Sequence, residues 1–112
     1  MLDWKTYRKD VKGRVGELAQ AAPEAIKGYM ALAASGEKAQ HLDSKTRELI
    51  SLAVAVTTRC DGCIASHVEA AIKHGATKEE LSEALGVAIA MNAGAALVYS
   101  ARTLDCFDQM SS

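Results

Sequence analysis

Proline occurs once in this chain of 112 residues and aromatic residues make up only 4% of it, while alanine, leucine, glutamate and lysine are plentiful. That balance favours helices over sheets and predicts an all-α domain. No charge of one sign accumulates: 13 Lys and Arg stand against 14 Asp and Glu, interspersed, for a net charge of -1. A nucleic-acid partner therefore has no electrostatic footing. The N-terminus, Met1-Leu2-Asp3-Trp4-Lys5-Thr6-Tyr7-Arg8, has no apolar signal region, and no run reaches the ~18 uninterrupted apolar residues of a membrane span. The expectation is a soluble cytoplasmic protein with no membrane partner. Cysteine is sparse too, three residues with Cys106 far from the other two, which argues against a secreted disulfide framework. With 49% hydrophobic residues, the chain has apolar material for one core, so residues 1–112 are read as a single domain.

Apolar spacing predicts about six helices. The first aligns Trp4, Tyr7, Val11, Val15 and Leu18 behind an Asp3 cap, with Lys5, Arg8, Lys12 and Arg14 on a solvated face. The second begins at Pro23 and is expected to end at Ser35-Gly36, with a loop over 36–42. Asp43 caps a third that runs to about Thr58 and is apolar on nearly every side from Leu49 onward, so burial all round is expected. The fourth starts at a cysteine pair and ends near His74, with Gly75 suited to a left-handed position. Thr77 and Glu80 form a capping box that opens a fifth through Leu81, Leu85 and Ile89. Asn92-Ala93-Gly94 is expected to bend or end it before a last helix from Ala95 to about Phe107. The runs Leu85–Met91 and Ala93–Tyr99 lack a broad charged face, and a chain of this size cannot bury them together with the third helix. Homo-oligomerisation is expected.

The chemistry concentrates in Cys60-Asp61-Gly62-Cys63, with His67 four positions later and Glu48 twelve positions earlier. Two thiols at this spacing can close a reversible disulfide, and a helix N-terminus lowers a thiol pKa from its usual ~8.5. Cys63 and His67 are four residues apart and share a helix face, whereas Cys60 lies seven from His67. Cys63 is therefore the expected attacking sulfur and Cys60 the resolving one. Glu48 has two readings: a first-turn acid that complements the helix dipole, or the buried partner of His67. A plain hairpin turning near Cys60 would set the last two at different heights, so their contact needs a steep crossing or a non-helical stretch at the turn.

These residues, with the flanks Leu42-Asp43-Ser44-Lys45-Thr46-Arg47-Glu48-Leu49-Ile50 and Gly75-Ala76-Thr77, resemble the alkylhydroperoxidase D-like branch of the carboxymuconolactone decarboxylase superfamily. The likeness covers roughly residues 20–108 and leaves the first helix as an addition. It implies an all-helical trimer or hexamer with thiol-dependent peroxidase or disulfide reductase activity. By the same resemblance Cys63 is the peroxidatic or exchange-active thiol, Cys60 its proton donor and resolving partner, and Glu48 and His67 parts of a proton relay. Gly62 departs from the pattern, since the best-known members carry a relay histidine there.

A zinc site built on Cys60, Cys63 and His67 lacks a fourth ligand, and Ile64 stands where covalent haem attachment needs histidine. No flavin or nicotinamide motif is present, so no cofactor is expected. Electrons are expected from an external thiol or protein donor, with a peroxide or a disulfide as substrate. A non-redox lyase or binding protein is the alternative reading. His41, His74 and Cys106 are read as structural or solvated, and Trp4, Tyr29 and Tyr99 as packing residues.

Overall fold

The computed structural model describes residues 1–112 as five helices and no strand. They are α1 (Trp4–Ala21), α2 (Pro23–Ala39), α3 (Ser44–Thr58), α4 (Asp61–Lys73) and α5 (Lys78–Met110). Local signals set most of the starts. Asp3 and Asp43 accept the backbone N–H groups of Thr6 and Thr46, satisfying donors that a helix start leaves open. Pro23 takes the first turn of α2, where its missing N–H costs nothing. Thr77 and Glu80 exchange both bonds of the capping box, at 3.0 and 2.9 Å. Gly75 adopts φ +82°, a conformation costly for any residue with a Cβ.

Two expected boundaries are corrected. α2 continues through Ser35 and Gly36 to Ala39 and is ended by Gln40 at φ 56°. Ser35 stays helical because its hydroxyl donates to Leu32 O, and Gly36 leaves room for α3, since a Cβ there would stand 3.3 Å from Arg47 Cδ. The fifth and sixth predicted helices are one helix of 33 residues. Asn92 does not break it, because its amide donates to Ala88 O one turn back and to Thr57 Oγ1 on α3.

α3 packs between α4 and α5, and α1 packs on α2 and α4. Only Leu52, Ala55, Ala71 and Ala88 are buried, one small knot where α3, α4 and α5 meet. The expectation that α3 is enclosed on every side is corrected, because Ile50 and Val54 remain 48% and 55% exposed. From Ile89 to Met110, α5 carries no buried residue and presents Leu97, Val98, Tyr99, Leu104 and Phe107 outward.

The radius of gyration is 18.4 Å where a folded chain of this length has about 13 Å. The accessible surface is 8968 Å², against roughly 6,000 Å² for a monomer of 11.9 kDa. α5 is also long and apolar enough, by length and composition, to cross a membrane. The sequence expectation missed this because Gly86, Asn92, Gly94 and Ser100 interrupt the apolar run without adding charge to it.

Candidate functional site

The site forms where α3 hands over to α4. Arg59 turns the chain with φ 55°, Cys60 is extended, and α4 begins at Asp61. Cys60 is the N-cap residue: its Sγ accepts the N–H of Cys63 at 3.1 Å. The two sulfurs lie at disulfide distance, with Cα atoms 5.2 Å apart. Cys106 is a free, exposed thiol on the far half of α5.

Glu48 and His67 meet, with Glu48 Oε2 2.6 Å from His67 Nδ1. The non-helical step at Arg59 and Cys60 relaxes the plain-hairpin constraint. At 1.5 Å per residue it leaves an axial offset of about 6 Å between the two positions, which the side chains span. Glu48 is 19% exposed and His67 35%. A carboxylate so largely desolvated requires a partner, and the imidazole is that partner. The bond also assigns the tautomer: Nδ1 donates to the carboxylate and Nε2 is left free.

An open depression of about 300 Å³ is lined by Ile50, Ser51, Val54, Ala55, Thr58, Cys63 and His67. Cys63 borders it and Cys60 does not. The pair is thus asymmetric: the helix N-terminus acts most directly on the Cys60 sulfur, while Cys63 shares an accessible wall with the imidazole. Ser51 and Thr58 are the polar lining residues that sequence reasoning did not single out. Their signal was present in the stripe Glu48, Ser51, Ala55, Thr58, which runs in steps of three and four from the acid toward the cysteines. A larger cleft of about 790 Å³ lies elsewhere, bordered by His41, Arg47 and His74, and holds none of the cysteines.

The base of α3 is pinned one turn before Glu48. Lys45 Nζ stands 2.7 Å from Glu80 Oε2, joining the start of α3 to the capping box of α5. The bond from Lys45, followed by the Thr77 N–H, holds the Glu80 carboxyl below its ordinary range, and the same bond raises Lys45. The side-chain and backbone bonds with Thr46 lower Asp43 likewise. Arg47 donates to Leu42 O and Ser44 Oγ and closes the α2–α3 turn.

Residues 23–105 match the model of the carboxymuconolactone decarboxylase family. The chain belongs to that family. A carboxymuconolactone decarboxylase family protein of Legionella pneumophila, solved in its apo form, is 38% identical over 97% of both chains, with a TM-score of 0.75. A protein of Methanobacterium thermoautotrophicum is 31% identical over 75% of this chain and 94% of its own, with a TM-score of 0.69. An uncharacterized protein of Haemophilus influenzae is 50% identical over 94% of this chain and 93% of its own. Uncharacterized protein 4 in the cox locus of Paracoccus denitrificans is 36% identical over 86% of each. The family model begins at Pro23, so α1 lies outside it.

Proposed function

We propose that this family member is a thiol-dependent oxidoreductase of the alkylhydroperoxidase D-like branch, cycling Cys60 and Cys63 between dithiol and disulfide. The observation that carries the reading is the joint placement of Cys63 and His67 on one accessible wall, with Cys60 at bonding distance behind and Glu48 fixing the imidazole. In the peroxidase direction, His67 Nε2 takes the Cys63 thiol proton and the thiolate attacks the terminal peroxide oxygen. The O–O bond breaks, an alkoxide or hydroxide leaves, and the imidazolium returns the proton to it. The Cys60 thiol then condenses with the Cys63 sulfenic acid, forming the disulfide and releasing water.

Reduction runs through the same asymmetry. A donor thiolate attacks the accessible Cys63 sulfur, and Cys60 leaves as a thiolate stabilised by the N–H groups and dipole of α4. The second thiol of a dithiol donor then releases the mixed disulfide, so the donor departs as its own disulfide and leaves two electrons and two protons on Cys60 and Cys63. A partner protein's disulfide can replace peroxide as the oxidant in the same cycle.

The reading includes a homo-oligomer, a trimer or hexamer. About 3,000 Å² of surface beyond that of a compact monomer is several times the ~800 Å² each partner gives to a standard interface. The open apolar half of α5 supports subunit contact over solvent exposure.

Mass spectrometry after one equivalent of peroxide tests the cycle. The reduced wild type is expected to lose two hydrogens within the 60–63 peptide, and Cys63→Ser to lose none. A Cys60→Ser variant should still consume one equivalent and stop at the sulfenic acid. Single-turnover reaction in Cys63→Ser but not in Cys60→Ser would reverse the two roles.

A further inference from the structure

α1 lies outside the matched family region, yet it packs directly behind the cysteine pair. Arg8 Nε stands 3.7 Å from Glu69 Oε2, and Val11 Cγ1 stands 3.8 Å from the place a Cβ on Gly62 would occupy. Rising numbers on α1 thus meet falling numbers on α4, so the two helices run antiparallel. Gly62 and Glu69, seven residues apart, share one face of α4, and the Cys63–His67 face lies beside it. The ion pair contributes little, since Glu69 is 71% exposed. Val11, half-buried, is the α1 side chain that faces Gly62 across the space a Cβ there would fill.

Gly62 is the residue that makes this contact consequential. It occupies the second position of α4, between the two cysteines, in the turn whose N-cap bond joins Cys63 N–H to Cys60 Sγ. A glycine there has no side chain to hold the turn and more backbone freedom to lose than any other residue. Once the disulfide is opened, the N-cap bond, the hydrogen bond from Ile64 N–H to Cys60 O and packing are left to keep the two sulfurs at closing distance.

We infer that Val11 is a positioning residue for the redox pair: packed opposite Gly62, it limits movement of the first turn of α4 in the reduced protein and favours reclosure of the 60–63 disulfide. This rests on the dithiol–disulfide reading above. The relevant couple is exchange with glutathione, in which two glutathione thiols become one glutathione disulfide while Cys60–Cys63 takes up two electrons and two protons.

The test is that equilibrium, measured by thiol alkylation and mass spectrometry in glutathione buffers, with thermal unfolding of each variant alongside. Val11→Ala frees the turn in the dithiol state and is expected to shift the equilibrium three- to tenfold toward dithiol, about 15–30 mV at 29.6 mV per tenfold. Gly62→Ala should shift it the other way, because the new methyl meets Val11 at ordinary contact distance and removes the glycine's freedom. Val15→Ala, one turn further along α1 at a position 45% exposed, should leave it unchanged. A lowered unfolding temperature for Val11→Ala with an unshifted equilibrium would overturn the inference, as would an equal shift in Val15→Ala. A wild type with no measurable couple would overturn the redox reading itself; a measurable couple unmoved by Val11→Ala overturns only the role of Val11.

Discussion

Glu48 and His67 form the one carboxylate–imidazole pair of the site, and each needs the other for a different reason. The carboxylate is largely removed from water and needs a donor, while the imidazole needs a fixed tautomer to present Nε2 to the depression. Glu48→Gln retains the shape of the side chain but weakens the stabilisation of an imidazolium. Peroxide or disulfide turnover is expected to fall by roughly tenfold to a hundredfold, no more than the lower end of a general acid–base contribution because Glu48 acts through His67, while the far-ultraviolet circular dichroism is unchanged. Unchanged turnover in Glu48→Gln would remove Glu48 from the relay. The sharing of a face by Cys63 and His67 was legible in the sequence because i and i+4 are neighbours on any helix. The contact to Glu48 stood there only as one of two readings, because the partners are nineteen positions apart across a turn of irregular backbone, and spacing rules stop at such a turn.

Among the elements, α3 and α5 depend on a staple at their starts, made by Lys45 and Glu80 beside the Asp43 and Thr77 caps. Glu80 and Asp43 have lowered folded-state pKa values, so the unfolded chain binds protons first as pH falls. Their stabilisation is complete above the ordinary carboxylate range and is lost as pH drops through the lowered values. Lys45 is raised, so its share is complete below its ordinary range and is lost as pH climbs through the raised value. The unfolding midpoint is expected to fall on acidification below about pH 4, and Glu80→Gln should flatten that acid limb while leaving the capping box in place. An acid limb as steep in Glu80→Gln as in the wild type would remove the staple from the account. The caps and the capping box were readable because each satisfies a local donor within three residues. The single long α5 was not, because Asn92 is a helix breaker only until its amide finds Ala88 O and Thr57, and Thr57 lies 35 residues away.

For the whole molecule, the decisive quantity is how little the single chain buries: four residues, beneath a surface about half as large again as a compact monomer would have. Light scattering is expected to report three or six times 11.9 kDa, and the double substitution Leu104→Glu, Phe107→Glu to shift it downward, because each charge occupies an apolar face 67–69% open in the isolated chain. A native mass near 12 kDa in the wild type would overturn the assembly. By itself the sequence determined the all-helical class, the starts of the five helices and the place of the cysteine pair at one of them, since composition, capping and i, i+4 spacing act within a turn or two of chain. Only the tertiary structure decided that Glu48 reaches His67, that Cys63 rather than Cys60 borders the depression, that α3 keeps an open stripe, and that α1 places Val11 opposite Gly62. Those outcomes depend on how helices cross and on what the turn at Arg59 and Cys60 does to their register. Helix period carries no information about either.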